Sequence, residues 1–209
     1  MTQIVPAILE NDFAEIKKKI KIIKPFTDFI QLDVMDGIFV PNKTFADAKL
    51  VAQLPISLEV HLMIVNPSLF VKQWALPNVK RLIVHYEAMT NVDFEIETIR
   101  KTKKEVAIAI NPDTSTFSLK PYLDKIDMVL IMGVEPGFSG QDFQKDVLEK
   151  IREIKKLKPG LLVEIDGGVS MHNHEVIVDA GADILVAHSA IWKAKDLAKV
   201  FQELRGENR

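Results

Sequence analysis

Residues 29–37 read FIQLDVMDG, an apolar run with polar side chains at alternate positions, Gln31 and Asp33, that ends on an Asp-Gly pair. A period of two puts Gln31, Asp33 and Met35 on one face of a strand, and the apolar residues between them mark it as buried on both sides. Seven further runs follow the same grammar: Ile4–Leu9, Ser57–Met63, Arg81–His85, Val106–Ile110, Met128–Met132, Leu161–Asp166 and Ile184–Ala187. They are short, rich in Val and Ile, and mostly closed by Gly, Pro, Asn or Asp, so each predicts a buried strand.

Amphipathic stretches separate the runs. Phe13, Ile16, Ile20 and Ile23 recur at helical spacing, with Lys17, Lys18, Lys19 and Lys21 on the other faces. Val147, Leu148, Ile151, Ile154 and Leu157 repeat the pattern, as do Leu197, Val200, Phe201 and Leu204. Pro25 and the Pro159-Gly160 pair stop the first two, and the lysine run reads as a solvated outer face. Strand–helix units repeated eight times require right-handed parallel crossovers, and eight of them close into a TIM (β/α)8 barrel, an α/β fold. An open doubly wound sheet is the alternative, but no GxGxxG fingerprint follows the first strand. No linker or low-complexity tract interrupts the chain, so residues 1–209 are expected to form a single barrel domain.

Bulk composition narrows the function. The 209 residues are 47% hydrophobic and 27% charged, enough apolar material for one core. Twenty-seven basic and 29 acidic residues give a net charge of −2, which offers no electrostatic pull toward nucleic acid or a membrane surface. Without cysteine there are no disulfides and no thiolate metal ligands. The N-terminus, MTQIVPAILENDF, lacks the basic flank and long apolar core of a signal peptide, and no apolar run reaches the ~20 residues of a membrane span. A soluble, cytoplasmic protein is expected.

In such a barrel, function belongs at the C-terminal strand ends. Asp33, His61 and Asp166 stand at three of them. A lone strand-end Asp is ordinarily a cap or turn former. Three ionisable groups in equivalent places argue for one shared site. Loops after the last strands add a second signal: Gly137-Phe138-Ser139-Gly140 after the sixth, Gly167-Gly168 after the seventh, His188-Ser189 after the eighth. Exposed backbone N–H groups there, beside a helix N-terminus, make the usual phosphate cradle of this architecture. An anionic, phosphate-bearing small molecule is the expected ligand.

Read in order, VPAIL, QLDVMDGIFVPN, EVHLMIVNP, HYEA, INPDT, MGVEPGFSGQDF, EIDGGV and VAHSAIW resemble the ribulose-phosphate 3-epimerases over nearly the whole chain. The resemblance implies a barrel enzyme that interconverts D-ribulose 5-phosphate and D-xylulose 5-phosphate, or a similar ketose phosphate. Two acid/base aspartates would do so, with one divalent metal ion (Zn, Fe, Mn or Mg) holding the enediolate. Carried over by position, Asp33 and Asp166 are the carboxyls and also metal ligands, and His61 is a further ligand. Met35, Met63 and Met132 match a sulfur-bearing wall beside the reacting carbons, although plain core filling explains methionines equally well. A homo-oligomer is also implied. The chemistry accounts for the set: a proton beside a ketone is too weakly acidic for an unaided carboxylate, and inversion needs one carboxyl on each face of the planar intermediate.

Three positions depart from the family pattern. Ala7 stands where the family has Ser, Gln31 where it has a metal-binding His, and His188 where it has Gly. Gln31 has three readings: an oxygen ligand, a hydrogen-bond donor to substrate at a metal-free site, or a mark of lost catalysis in a binding pocket. The His188 side chain either crowds the phosphate or adds a donor to it. His172 and His174 are expected to be solvated. His85 is expected to hydrogen-bond a ligand rather than be one. Glu59 should point inward below His61 and needs a partner, because an isolated buried carboxylate costs several kcal/mol.

Overall fold

The computed structural model describes residues 2–206. Eight strands run β1 (Gln3–Ile8), β2 (Phe29–Met35), β3 (Ser57–Met63), β4 (Val79–His85), β5 (Glu105–Ile110), β6 (Met128–Met132), β7 (Leu162–Asp166) and β8 (Ile184–Ala187), and their order closes into a TIM barrel. The runs expected at β2, β3, β6 and β8 coincide with their strands residue for residue. In β4 and β7 the strand ends on the polar residue that ends its apolar run, His85 and Asp166.

The helices are α1 (Phe13–Ile23), α2 (Ala48–Val51), α3 (Val71–Trp74), α4 (Val92–Arg100), α5 (Val147–Leu157), α6 (His174–Asp179), α7 (Ser189–Trp192) and α8 (Leu197–Leu204). Three of them coincide with the helical patterns read from the sequence. In α1, Asp12 caps the first turn by accepting from Ala14 N, and Ile16, Ile20 and Ile23 are buried. In α5, Val147, Ile151 and Ile154 turn inward, and Phe201 and Leu204 do so in α8. Each such side chain taken from water stabilises the fold by roughly 1.5–3 kcal/mol.

The strand–helix units are unequal. After β2 and β3 the crossovers carry only four-residue α2 and α3, and after β5 the chain takes a 3-10 course over Thr116–Tyr122. Pro121 lies inside that segment, and its missing N–H prevents a regular α-helix.

Residues group into two compact halves, Ala7–Ala109 and the segment from Ile110 onward with the start of β1. In the first half, register pairs Gln31 with Glu59, Asp33 with His61 and Met35 with Met63. The partner that Glu59 requires is Arg81, opposite it on β4, whose Nη1 donates to Glu59 Oε2 at 2.7 Å. Arg81 Nη2 also reaches Glu105 Oε2 at 2.9 Å, and both Glu59 and Arg81 are buried. Arg81 thus supplies the partner that a buried Glu59 needs. In the second half, register pairs Met132 with Asp166.

Candidate active site

Strands β2, β3 and β4 carry a dry polar chain. Gln31 Nε2 donates to Asp33 Oδ1 at 2.8 Å and lies 3.4 Å from His61 Nδ1, which is itself 3.3 Å from Asp33 Oδ1. The amide nitrogen thus sits between a carboxylate oxygen and an imidazole nitrogen. On its other side, His61 Nε2 meets His85 Nε2 at 2.8 Å, so His85 is the hydrogen-bonding neighbour expected from its position. His85 Nδ1 is 3.4 Å from Glu87 Oε2, and the Phe39 ring covers the His85 ring at 4.9 Å between centroids. Gln31, His61 and His85 are fully buried and Asp33 is 6% exposed, which strengthens every polar contact in the chain.

Thr44 and Asp36 hold the end of β2 in place; Thr44 did not stand out in the sequence, and Asp36 was read only as the Asp of the closing Asp-Gly pair. Thr44 Oγ1 donates to the Asp33 carbonyl at 2.7 Å and accepts from Met35 N at 2.9 Å. Asp36 Oδ1 accepts from Ile38 N and Phe39 N at 2.7 and 2.8 Å, and Oδ2 accepts from Val65 N at 2.8 Å, tying the loop after β2 to the loop after β3. Burial, the largest single influence on the Asp36 carboxyl, pushes its pKa up; the backbone bonds from Val65, Ile38 and Phe39 together outweigh it and hold the pKa below 3.8.

Beyond β6 and β7 the site is built from backbone. Gly133 N donates to the Asp166 carbonyl at 2.6 Å, and a side chain at Gly133 would run into the Gly167 carbonyl. Gly168 has φ +69°, and a Cβ there would lie 2.7 Å from Phe143 Cα, so only glycine fits. Asn173 Nδ2 donates to the Gly168 carbonyl at 2.9 Å. In the loop after β6, Gly137 and Gly140 take positive φ, and Gln141 Nε2 donates to the Glu135 and Phe138 carbonyls at 2.7 and 2.9 Å. Phe138, Ser139 and Gly140 are exposed. Ser189 opens α7, which is only four residues long, so the dipole expected to favour an anion beside His188 is weak.

One ligand atom from each of Asp33, His61 and Asp166 lies within 4.8 Å of the others, as a chelating group requires. Two carboxylates and an imidazole form a mixed oxygen–nitrogen donor set that fits Zn²⁺, Fe²⁺ or Mn²⁺.

Residues 3–192 match the family model described as "Ribulose-phosphate 3 epimerase family". The ribulose-phosphate 3-epimerase of Bacillus subtilis (strain 168) is 38% identical over 99% of both chains. That of Chlamydia pneumoniae is 40% identical over 87% of this chain and 84% of its own, and that of Schizosaccharomyces pombe 33% over 97% and 92%. The chain belongs to the ribulose-phosphate 3-epimerase family. It is accordingly an epimerase-type isomerase. Among solved structures, the KGPDC of Streptococcus mutans superposes with a TM-score of 0.73 at 13% identity, covering 99% of this chain and 97% of that one. The tryptophan synthase complex of Pyrococcus furiosus gives 0.70 at 16%, covering 98% of each chain, and both likenesses speak for the barrel alone.

Within this epimerase-family chain, the three expected metal ligands come together, and Gln31 contacts two of them. Met35 and Met63 pack with Val40 in a small buried cluster flanked by Leu9 and Phe39, and Met132 is buried on β6. Ala7 is buried on β1 opposite Gln31. His172 is exposed as expected, whereas His174 is half-buried with Nδ1 3.2 Å from the Met171 carbonyl. Arg81, Thr44, Asp36 and Gln141 were missed because each acts through the tertiary partner it reaches. Asp36 and Gln141 left a trace, as parts of the stretches QLDVMDGIFVPN and MGVEPGFSGQDF.

Proposed function

We propose that the chain interconverts D-ribulose 5-phosphate and D-xylulose 5-phosphate, or a closely similar ketose phosphate, by inverting carbon 3. The observation that carries this reading is the approach of Asp33, His61 and Asp166 to within 4.8 Å. In it, Asp33 and Asp166 serve as acid and base on the two faces of a planar enediolate, one carboxyl withdrawing the proton and the other returning one. Asp33, His61 and Asp166 would hold a divalent cation, and Gln31 has an amide oxygen to offer as a further donor. Such a cation supplies positive charge beside the substrate oxygens next to the reacting carbon. His61 is fixed from behind by His85, and Gln31 keeps the Asp33 carboxylate aimed. The backbone of Gly137, Phe138, Ser139, Gly140, Gly167 and Gly168, with His188 and Ser189, takes the phosphate. Met35, Met63 and Met132 line the reacting carbons with polarisable, water-excluding sulfur.

Asp33→Asn and Asp166→Asn, assayed with D-ribulose 5-phosphate, are each expected to lower kcat by about 10²–10⁴-fold with an unchanged circular dichroism spectrum. Wild-type turnover in either variant makes the two-carboxylate mechanism wrong. A second reading, a phosphosugar-binding family member without turnover, draws on the Gln31 amide standing 2.8 Å from Asp33 where an imidazole ligand is usual in the family. It is the correct one if the wild-type protein binds the sugar phosphate with no turnover under added metal.

A further inference from the structure

We infer that Lys193 supplies the positive charge of the phosphate site, its ammonium standing at the edge of the loop after β6 and pairing with the dianion of a sugar phosphate. The inference rests on the phosphate-binding part of the proposed function and adds to it a side chain outside the backbone cradle. Lys193 directly follows α7 and closes it, its N–H donating to the Ser189 carbonyl at 3.1 Å. The Cα–Cβ bond of a helical residue leans toward the helix N-terminus, so a long side chain covers the turn before its own. The Lys193 side chain ends beside Gly140, in the loop after β6: a Cβ built on that glycine would lie 4.0 Å from Lys193 Nζ. Chain neighbours apart, no other heavy atom of the described residues comes within 4 Å of that point.

The composition of the cradle calls for such a cation. Its three stretches, 133–144, 166–170 and 187–192, hold Glu135, Asp142 and Asp166 but no lysine or arginine, and His188 is their only imidazole. Backbone N–H groups are neutral donors, and the dipole of four-residue α7 is weak. A phosphate monoester carries roughly −1.5 to −2 charges at pH 7, and nothing in those stretches brings a full positive charge to set against it. Lys193 is the next residue along the chain. It is exposed, and among the described residues its ammonium has no hydrogen-bond or ion-pair partner, although Glu135 and Asp142 lie in the loop it reaches. The charge is therefore open to an anion. Lysine suits the edge of a cradle, as a point charge on a flexible stem that meets a phosphate oxygen without demanding one fixed geometry.

Calorimetry with inorganic phosphate on the full chain, together with KM for D-ribulose 5-phosphate, tests the role through Lys193→Met and Lys193→Arg. Lys195→Met, at an exposed neighbour, is the control for bulk charge. Lys193→Met is expected to weaken phosphate binding and raise KM, each about five- to tenfold, with kcat changed less than about twofold. Lys193→Arg, which keeps the charge, is expected to stay within about twofold of wild type, and so is Lys195→Met. The loss in Lys193→Met should also shrink as salt rises from about 0.1 to about 1 M, over which the screening length falls from ~10 to ~3 Å. A lysine that merely packed against Gly140 would show no such salt dependence. Phosphate held equally well by Lys193→Met, an equal loss in Lys195→Met, a loss that arginine does not recover or one indifferent to salt overturns the inference. So does wild-type protein that binds no phosphate. Wild type that binds phosphate but leaves D-ribulose 5-phosphate unconverted sinks the epimerase reading instead, and the phosphate titrations still decide Lys193.

Discussion

The two halves of the barrel meet the demands of a site in different ways. From Ala7 to Ala109 the working groups are long polar side chains held by one another: Gln31 on Asp33, His85 on His61, Arg81 on Glu59. From Ile110 onward the construction is almost all main chain, with Gly133, Gly167 and Gly168 letting the loops after β6 and β7 pack together and Gln141 stapling the first of them. A dry side-chain network pays for its precision in desolvation, and so fails when one partner is removed. A glycine-lined backbone cradle has nothing to unpair, and fails when atoms are added.

Substitutions in each half should separate these failure modes. The largest effect is expected from Arg81→Met, which strands Glu59 in the interior and should cost about 3–5 kcal/mol in urea unfolding. A variant as stable as wild type would mean that Glu59 is not held as a charge. Next is Gly168→Ala, where positive φ and the approach of Phe143 should together cost at least ~2 kcal/mol, read as a lowered Tm with little change in urea m-value. An alanine accepted without loss would show that the cradle gives way easily.

Gln31→His sharpens the comparison from the other direction. It replaces an amide with imidazole and should tighten Zn²⁺ binding at least about tenfold, ~1.4 kcal/mol, by calorimetry. No change would remove Gln31 from the ligand shell. Asp36→Ala should be the mildest, about 1 kcal/mol from loss of backbone hydrogen bonds. Because the folded-state pKa of Asp36 is held below 3.8, its stabilisation is complete above that value and fades as pH falls through the lowered one. The difference between wild type and Asp36→Asn should therefore shrink below about pH 4 in acid unfolding. A gap that persists to lower pH would mean that the charge is not what the loop uses.

Strand positions and the Asp33–His61–Asp166 set were legible because apolar periodicity and a polar stop are local properties. What could not be read was who answers whom across strands. Glu59 announced its need for a partner, but Arg81 became that partner through the β3–β4 register, where the pairing shifts between Leu58 and Glu59. The uneven crossovers were not readable either: Thr116–Tyr122, with Pro121 inside it, takes a 3-10 course. Gly167 and Gly168 were read as anion donors. That Gly168 is also required by the packing of Phe143 is visible only when both loops are in place.

The Gly133 amide grips the Asp166 backbone carbonyl, so the end of β7 is held by the loop after β6 as well as by its own strand pairing. A change to residues 133–144 that moves Gly133 would also move the end of the neighbouring strand, where the Asp166 carboxylate stands. On the proposed reading, the loop that meets the ligand and the strand end that carries an acid/base carboxylate are tied together by that one backbone bond.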